Sequence, residues 1–291
     1  MKEAMLYEKL QDDKVRCAVC SHRCTISEGK RGICSVRENR EGTLYALNYG
    51  RAIAVHVDPI EKKPLYHFMP GTSTYSFATV GCNFRCQWCQ NWEISQASKP
   101  NRPIAGALIS PEEHVQRALE YGCPSISYTY SEPTIFVEYA LDTMKLAREK
   151  GLKNTWHTNG YMTKETLDAI VPYLDAANVD FKGPDDTVYE KYCGGKSGPV
   201  MESLKYLYKA GVHLEITTLI VPGVNDQKQQ LQTIAKFIAN ELGKDVPWHI
   251  SRFFPAWKMP DAPVTPLETL EMARKAGEEE GLLYIYLGNV F

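Results

Sequence analysis

The chain lacks any apolar run approaching the ~20 residues that a bilayer-spanning helix needs. Its start, Met-Lys-Glu-Ala-Met-Leu-Tyr-Glu, carries acidic residues and no apolar stretch of the kind that opens a secretory signal. Net charge is nearly absent, since 33 Lys and Arg against 35 Asp and Glu leave −2. That balance offers no electrostatic basis for binding nucleic acid or a membrane surface. No internal repeat or low-complexity stretch is evident. The expectation is a cytoplasmic protein that engages neither nucleic acid nor membrane. Its 291 residues, 44% hydrophobic and 23% charged, suit one large core with a small appendage.

Cysteine, in contrast, is plentiful: there are nine, and seven of them fall into two groups. In a chain expected to sit in a reducing compartment, such grouping points to metal ligation rather than disulfides. The first group is Cys82, Cys86 and Cys89, in Gly-Cys-Asn-Phe-Arg-Cys-Gln-Trp-Cys-Gln-Asn. Cubane iron–sulfur clusters are normally held by four thiolates, so a loop carrying three leaves one iron open for chemistry. The alternative is three of four zinc ligands, completed by a distant His or Cys. The preceding Tyr75-Ser-Phe-Ala-Thr-Val80 reads as a buried strand running into the loop, which argues against a free-standing zinc knuckle. The loop resembles the cluster loop of radical S-adenosylmethionine (SAM) enzymes, in which the open iron chelates the amino and carboxylate groups of SAM. Trp88 matches the aromatic residue usual before the third cysteine.

The second group is Cys17, Cys20, Cys24 and Cys34, spaced C-x2-C-x3-C-x9-C with Gly29 and Gly32 between the last two. Four close thiols with turn-forming glycines suit a closed, structural tetrahedral site. His22 is an alternative ligand, and reduced surface thiols are the plain alternative. Zinc and a second iron–sulfur cluster both remain open, because four thiolates do not distinguish them.

Residues 43–57 alternate as a hairpin with Gly50 at its turn. Residues 58–71, rich in Pro, charge and aromatics, read as an irregular loop packed on a barrel mouth, from which Lys62, Lys63 and His67 could reach the site; a solvated connector is the equal alternative. From Tyr75 onward strands and helices alternate. Strands are expected at 75–80, 125–130, 153–158, 177–181, 212–221, 248–253 and 282–287. Helices are expected at about 110–122, 134–150, 164–173, 200–210, 226–241 and 265–280. Ser110-Pro-Glu-Glu113 and Thr265-Pro-Leu-Glu268 read as capping boxes, and Thr163 and Asp226 as caps. Strict alternation means a parallel sheet with helices outside. About seven strands fall short of the eight of a full barrel. The expected fold is therefore α/β, a partial (β/α) TIM-like barrel over residues 73–291, with an N-terminal Cys-rich metal-binding subdomain and connector over 1–72.

Residues just past the strand C-termini face the site in such a barrel. Tyr130-Ser131-Glu132-Pro133 stands where radical SAM enzymes carry the Gly-Gly-Glu-Pro segment that binds the SAM amino group. The acid and the proline are kept and the glycines are not. Glu132 can accept hydrogen bonds from an ammonium group; the plain alternative is an acid favoured by a helix N-terminus. His157-Thr-Asn159-Gly resembles the Thr-Asn-Gly stretch of glycyl radical enzyme activases, with Asn159 a candidate for the SAM ribose or carboxylate or simply an Asn-Gly turn. Asp180 and Lys182 share a strand face. They suit a zwitterionic ligand, or form a structural ion pair. Val221-Pro-Gly resembles a loop of the same activases. On the strand at 248–253, either His249, Ser251 and Phe253 or Ile250, Arg252 and Phe254 face the cavity.

Together with Asp58-Pro-Ile-Glu-Lys-Lys-Pro-Leu-Tyr-His67, these strings resemble the radical SAM group named for the AmmeMemoRadiSam system, related to the pyruvate formate-lyase activating enzymes. The resemblance implies a [4Fe–4S] cluster on Cys82, Cys86 and Cys89, and SAM contacts from Tyr130, Ser131, Glu132, Asn159, Asp180 and Lys182. It further implies reductive cleavage of SAM to a 5′-deoxyadenosyl radical for hydrogen abstraction, and an external one-electron reductant of flavodoxin or ferredoxin type. Two other readings are a glycyl radical enzyme activase acting on a partner protein, and a non-catalytic iron–sulfur or zinc protein.

Overall fold

The computed structural model describes residues 1–97 and 102–290. Its central sheet has eight strands: β1 (Ala54–Pro59), β2 (Ser73–Ala78), β3 (Ser125–Tyr128), β4 (Lys153–Thr158), β5 (Ala176–Asp180), β6 (His213–Ile220), β7 (Trp248–Arg252) and β8 (Ile285–Gly288). The seven from β2 to β8 are parallel and adjacent in chain order. Strand β1 lies antiparallel along the β2 edge. Helices α1 (Pro111–Glu120), α2 (Val137–Glu149), α3 (Lys164–Ile170), α4 (Ser197–Lys209), α5 (Lys228–Phe237) and α6 (Leu267–Glu279) each connect two successive parallel strands. This is the mixed α/β partial barrel expected from the alternation.

Helix starts follow local chemistry. The Ser110 hydroxyl accepts from the Glu113 N–H at 3.2 Å, and the Glu113 carboxylate accepts from the Ser110 N–H at 2.6 Å, the capping box that was expected. Thr163 caps α3 through the Thr166 N–H at 3.2 Å. Two expected caps are not used. Gln227, not Asp226, precedes α5, and Pro266 precedes α6. The Thr265 hydroxyl is drawn into the core instead, where it donates to the Ile220 carbonyl at 2.6 Å and accepts from the Phe253 N–H at 3.0 Å. Two strand ends left without ladder partners outbid the helix for that hydroxyl.

The outer face of the sheet is apolar and aromatic. Phe77 stacks on His114 of α1 at 3.9 Å, and Trp248 lies under Gly277 of α6, where an added Cβ would come within 3.2 Å of its ring. The inner face is polar. Thr74, Ser127 and Thr155 link β2, β3 and β4 through hydroxyl bonds of 2.7 and 2.6 Å. His249 is in register with the inward Thr217, so of the two sets weighed for β7 the one containing His249 and Ser251 faces the lumen.

The segment before the sheet departs from the expected hairpin at 43–57. Strand Thr43–Ala46 pairs back onto Arg37–Arg40 across Glu41-Gly42, both with positive φ, 52° and 70°, as a two-residue hairpin turn requires. Arg51–Ala52 pairs instead with Ala107–Leu108, and 54–59 becomes β1. Residues 1–52 are fastened to the barrel by a buried ion pair, in which the Arg37 guanidinium donates to both Glu138 oxygens of α2 at 2.9 and 2.5 Å. Removing one partner of such a pair costs about 3–5 kcal/mol.

The loop after β1 is also not where it was expected. Pro59 is opposite Ser73, the first residue of β2, so the loop closes the end of the barrel opposite the strand C-termini. The Tyr66 and His67 N–H groups donate to the Glu215 carboxylate at 3.0 and 2.8 Å, and His249 and His213 bond the same carboxylate at 2.6 and 3.0 Å. Lys62 and Lys63 pair with Asp58 at 2.8 and 2.6 Å, and His67 bonds the Tyr286 hydroxyl at 2.7 Å. These three residues lie at the floor rather than at the mouth, and of them only Lys63 is buried.

Burial pushes the Glu215 carboxyl up, but the bonds from His213, His249 and the two backbone N–H groups outweigh it and hold the pKa at about 2. A carboxylate held down in this way stabilises the fold above its unfolded pKa of about 4.3. The benefit is lost as pH falls towards about 2. Glu215→Gln should therefore lower the melting temperature at pH 7, and its gap from wild type should shrink between about pH 4.5 and 2. Thermal unfolding across that range checks it; a gap that widens towards acid would contradict the assignment.

Candidate active site at the strand C-termini

Beyond β2 the chain turns at Gly81, whose φ is +102°. A Cβ there would sit 2.9 Å from Val36 Cγ1 and 3.0 Å from the Cys34 carbonyl, so only glycine lets the loop seat against the N-terminal segment. The three-cysteine loop follows. The Phe84 N–H donates to Cys82 Sγ at 3.3 Å, Asn159 Nδ2 lies 3.9 Å from the same sulfur, and Cys89 Sγ is 3.2 Å from Ser95 Oγ. A π-helical turn, Tyr189–Cys193, backs the loop, with the Cys193 and Tyr192 carbonyls accepting from the Arg85 and Gln87 N–H groups at 2.7 and 3.0 Å. Trp88 is buried with its ring 5.9 Å from that of Tyr192.

Among the described residues, no three His, Cys, Asp or Glu side chains are gathered tightly enough to hold a single metal ion. A cubane differs from a single ion in that its cysteine sulfurs attach to different irons. Three thiols on one loop, with N–H donors aimed at a sulfur, form a donor set that fits a [4Fe–4S] cluster. The environment is uneven. Burial and the Glu132 charge push the Cys82 thiol well up, while a hydrogen bond from Cys193, helped by the Lys182 charge, lowers that of Cys86.

Glu132 is buried just past β3. Its Oε1 accepts from Thr134 N–H at 3.0 Å and from the Thr134 and Thr158 hydroxyls at 2.6 Å each; its Oε2 accepts from Asn159 N–H at 2.8 Å. One lone pair of Oε2 is left over. Burial raises this carboxyl in spite of those bonds. Asn159 continues the chain of contacts by donating to Asn83 Oδ1 at 2.7 Å.

Asp180 ends β5, and Lys182 follows it on the same face with Nζ 2.8 Å from Asp180 Oδ2. Burial disfavours both charges, yet each holds the other ionised. The Lys182 charge and a hydrogen bond from His157 keep the Asp180 carboxyl well below the usual range, and the Asp180 charge keeps the Lys182 ammonium well above its own. Asn225, buried in the Val221-Pro-Gly loop, fixes this corner by donating to the Lys182 carbonyl at 2.8 Å.

The structure thus gathers Cys82, Cys86, Cys89, Glu132, Asn159, Asp180 and Lys182 at one edge of the barrel. Tyr130 and Ser131 are placed differently. The Tyr130 backbone, at φ +62°, turns its ring down onto Lys63, 4.2 Å from the ammonium, and its hydroxyl donates to Asp58. Its carbonyl stays at the mouth and accepts from Asn91 at 2.9 Å. The Ser131 hydroxyl donates to the Thr79 carbonyl at 2.6 Å, tying β3 to β2.

Two neighbours were not foreseen. His157 Nε2 lies 3.5 Å from Asp180 Oδ1, and strand alternation from the inward Thr155 would have found it. Cys193 is buried against Cys86, and no spacing signal at a separation of 107 residues could have found it. A surface cleft of about 420 Å³ lies beside this corner, between the loop after Lys182 and the start of α5, lined by Pro184, Asp185, Gly223, Val224, Gln227 and Gln230 among others.

The sequence matches the model of the Radical SAM superfamily over residues 77–238. It is 51% identical over 290 residues to an uncharacterized protein of Methanocaldococcus jannaschii, covering 100% of this chain and 86% of that one. It is 27% identical over 181 residues to the pyruvate formate-lyase-activating enzyme of Clostridium pasteurianum, covering 59% of this chain and 71% of the relative. Among solved structures, a radical SAM methyltransferase from Sphaerobacter thermophilus superposes with a TM-score of 0.56 at 16% identity, covering 76% of this chain and 67% of that one.

Because Gly81 combines positive φ with two contacts at 3.0 Å or less, Gly81→Ala should cost on the order of 1–3 kcal/mol and lower the melting temperature by several degrees. Gly29, also at positive φ but with nothing within 4 Å of its would-be Cβ, should cost less as alanine. Equal losses in the two variants would show that the close approach to Cys34 does not matter.

Proposed function

The chain belongs to the radical SAM superfamily, and we propose that it is an enzyme of the AmmeMemoRadiSam-system group that reductively cleaves SAM to abstract hydrogen from its substrate. The observation that supports this reading is the gathering of Glu132, Asn159, Asp180 and Lys182 beside the three-cysteine loop. The family implies a [4Fe–4S] cluster and SAM. When bound, the cluster supplies the electron that splits SAM into methionine and a 5′-deoxyadenosyl radical.

The remaining work belongs to side chains of this chain. Cys82, Cys86 and Cys89 are assigned as the cluster ligands. Lys182 presents an ammonium, and Asp180 a carboxylate, to a zwitterionic amino-acid group. Asn159 and the free lone pair of Glu132 offer a donor and an acceptor one strand away. The backbone of Tyr130 and Ser131 shapes the wall between Glu132 and the loop. His157, paired with Asp180, lies deeper on the same face and suits contact with substrate. Trp88 and Phe84, both buried, keep water from the loop's flank.

A second reading is an activase acting on a partner protein, with an external reductant of flavodoxin or ferredoxin type. The similarity to a pyruvate formate-lyase-activating enzyme and the open cleft beside Lys182 favour it.

Anaerobically reconstituted protein incubated with SAM and dithionite should release 5′-deoxyadenosine, read by mass spectrometry. Cys82→Ala, Cys86→Ala and Cys89→Ala should each abolish it. Lys182→Met should keep its iron but weaken SAM binding by about ten-fold, the value of roughly one charge-assisted contact. Methylthioadenosine in place of 5′-deoxyadenosine, or retained cleavage in any cysteine variant, would overturn the reading.

A further inference from the structure

We infer that Tyr130 is a positioning residue for SAM: a strut whose side chain stands on Asp58 and Lys63 at the floor, and whose backbone holds the Glu132 side of the site in its binding shape. The inference rests on the reading that the strand C-termini bind SAM, and it names what sets that shape.

The backbone at Tyr130 is strained. Just past β3 the Ser131 N–H donates to the Thr129 carbonyl at 2.8 Å, closing a three-residue turn on Tyr130 at φ +62°. With a positive φ at its centre such a turn is the rare, strained form, and a bulky aromatic is a poor occupant of that region. Glycine would make the same turn without strain. A conformation of this kind persists only where its surroundings over-determine it. Here the side chain supplies the constraint. The Tyr130 hydroxyl donates to Asp58, its ring covers the Lys63 ammonium at 4.2 Å, and the His56 ring meets it edge-on at 5.6 Å. The Asp58 and Lys63 side chains are 5% and 2% exposed and pair at 2.6 Å, while Lys62 bonds the other Asp58 oxygen at 2.8 Å. Burial raises the Asp58 carboxyl, but the bonds from Lys62, Lys63 and Tyr130 outweigh it and keep it ionised. Burial pushes Lys63 down to about 8, which leaves it charged at neutral pH. The strut therefore stands on a buried ion pair.

The turn aims three groups at the mouth. The Tyr130 carbonyl accepts from Asn91, two residues beyond Cys89, at 2.9 Å. The Ser131 hydroxyl bonds the Thr79 carbonyl at 2.6 Å. Glu132 is brought to the end of β4, where its carboxylate takes the Thr158 hydroxyl at 2.6 Å and the Asn159 N–H at 2.8 Å. Asp58 and Lys63 lie at the floor, yet through Tyr130 they fix the segment that ties the cysteine loop to Glu132. A binding segment held in shape before its ligand arrives loses less freedom on binding, and the difference is read as affinity.

Equilibrium binding of SAM to the anaerobically reconstituted full chain tests the strut. Tyr130→Phe keeps the ring over Lys63 and removes only the bond to Asp58. It should keep the wild-type iron content and weaken SAM binding about ten-fold, the worth of one hydrogen bond to a charged group. Lys63→Met should weaken it in the same direction, and the two losses should fall short of additive because both act through Asp58. In the SAM-free chain, Tyr130→Phe should also quicken hydrogen exchange at Thr134 and Asn159, whose N–H groups Glu132 holds. Wild-type affinity in either variant, strictly additive losses, or faster exchange without lost affinity would each overturn the inference. Should Lys63→Met fail to fold, Tyr130→Gly takes its place: it makes the turn without strain and lacks the strut, so undiminished affinity there would be equally fatal. A wild-type chain that binds no SAM would instead overturn the proposed function.

Discussion

Seven strands that all run the same way must all end at one edge of the sheet. There the backbone runs out of ladder partners, and its polar groups have to be satisfied by side chains. Much of this structure answers that constraint. Ser131 closes onto Thr79, Glu132 onto Thr134, Thr158 and Asn159, Asn225 onto Lys182, and Thr265 onto Ile220 and Phe253. The same edge carries the three-cysteine loop, and two of the residues that finish the strands, Glu132 and Asn159, lie beside Cys82. Glu132 shows the overlap most clearly, because one buried carboxylate joins two strand ends and sets the charge beside Cys82.

The two ends of the barrel solve different problems. The floor is closed by a loop whose buried charges are fully matched: Asp58 by Lys62 and Lys63, Glu215 by two histidines and two backbone N–H groups. Such matching makes a burial cost bearable and leaves nothing free for a ligand. The mouth is matched less completely. Glu132 keeps a lone pair, Asp180 remains partly exposed, and the cysteine loop carries three thiols.

The N-terminal segment matters to that mouth through packing rather than chemistry. Gly81 has no side chain because Cys34 and Val36 occupy the space, and His22 and Arg85 cross between the two cysteine groups. Arg37 and Glu138 anchor the whole arrangement to α2. The strand β1 joins the central sheet, so the chain passes from the cysteine-rich region into the barrel without a free linker among the described residues.

Periodicity and cap residues in the sequence determined most of the parallel strands and their helices, because alternation and turn chemistry are local. They also determined the C-x3-C-x2-C loop and the Asp180–Lys182 pair, which depend only on spacing along one strand or turn. Local signals misled where a distant partner competed: Thr265 left its helix for the core, 43–57 divided among three pairings, and the loop after β1 went to the floor. Tertiary structure alone decided that Cys193 meets Cys86, that Tyr130 points down onto Asp58, and that His22 bonds the Cys82–Cys89 loop at the Asn83 carbonyl. Each of those contacts spans 61 residues or more of sequence, and no pattern read along the chain encodes which of two surfaces a side chain will meet once both are folded.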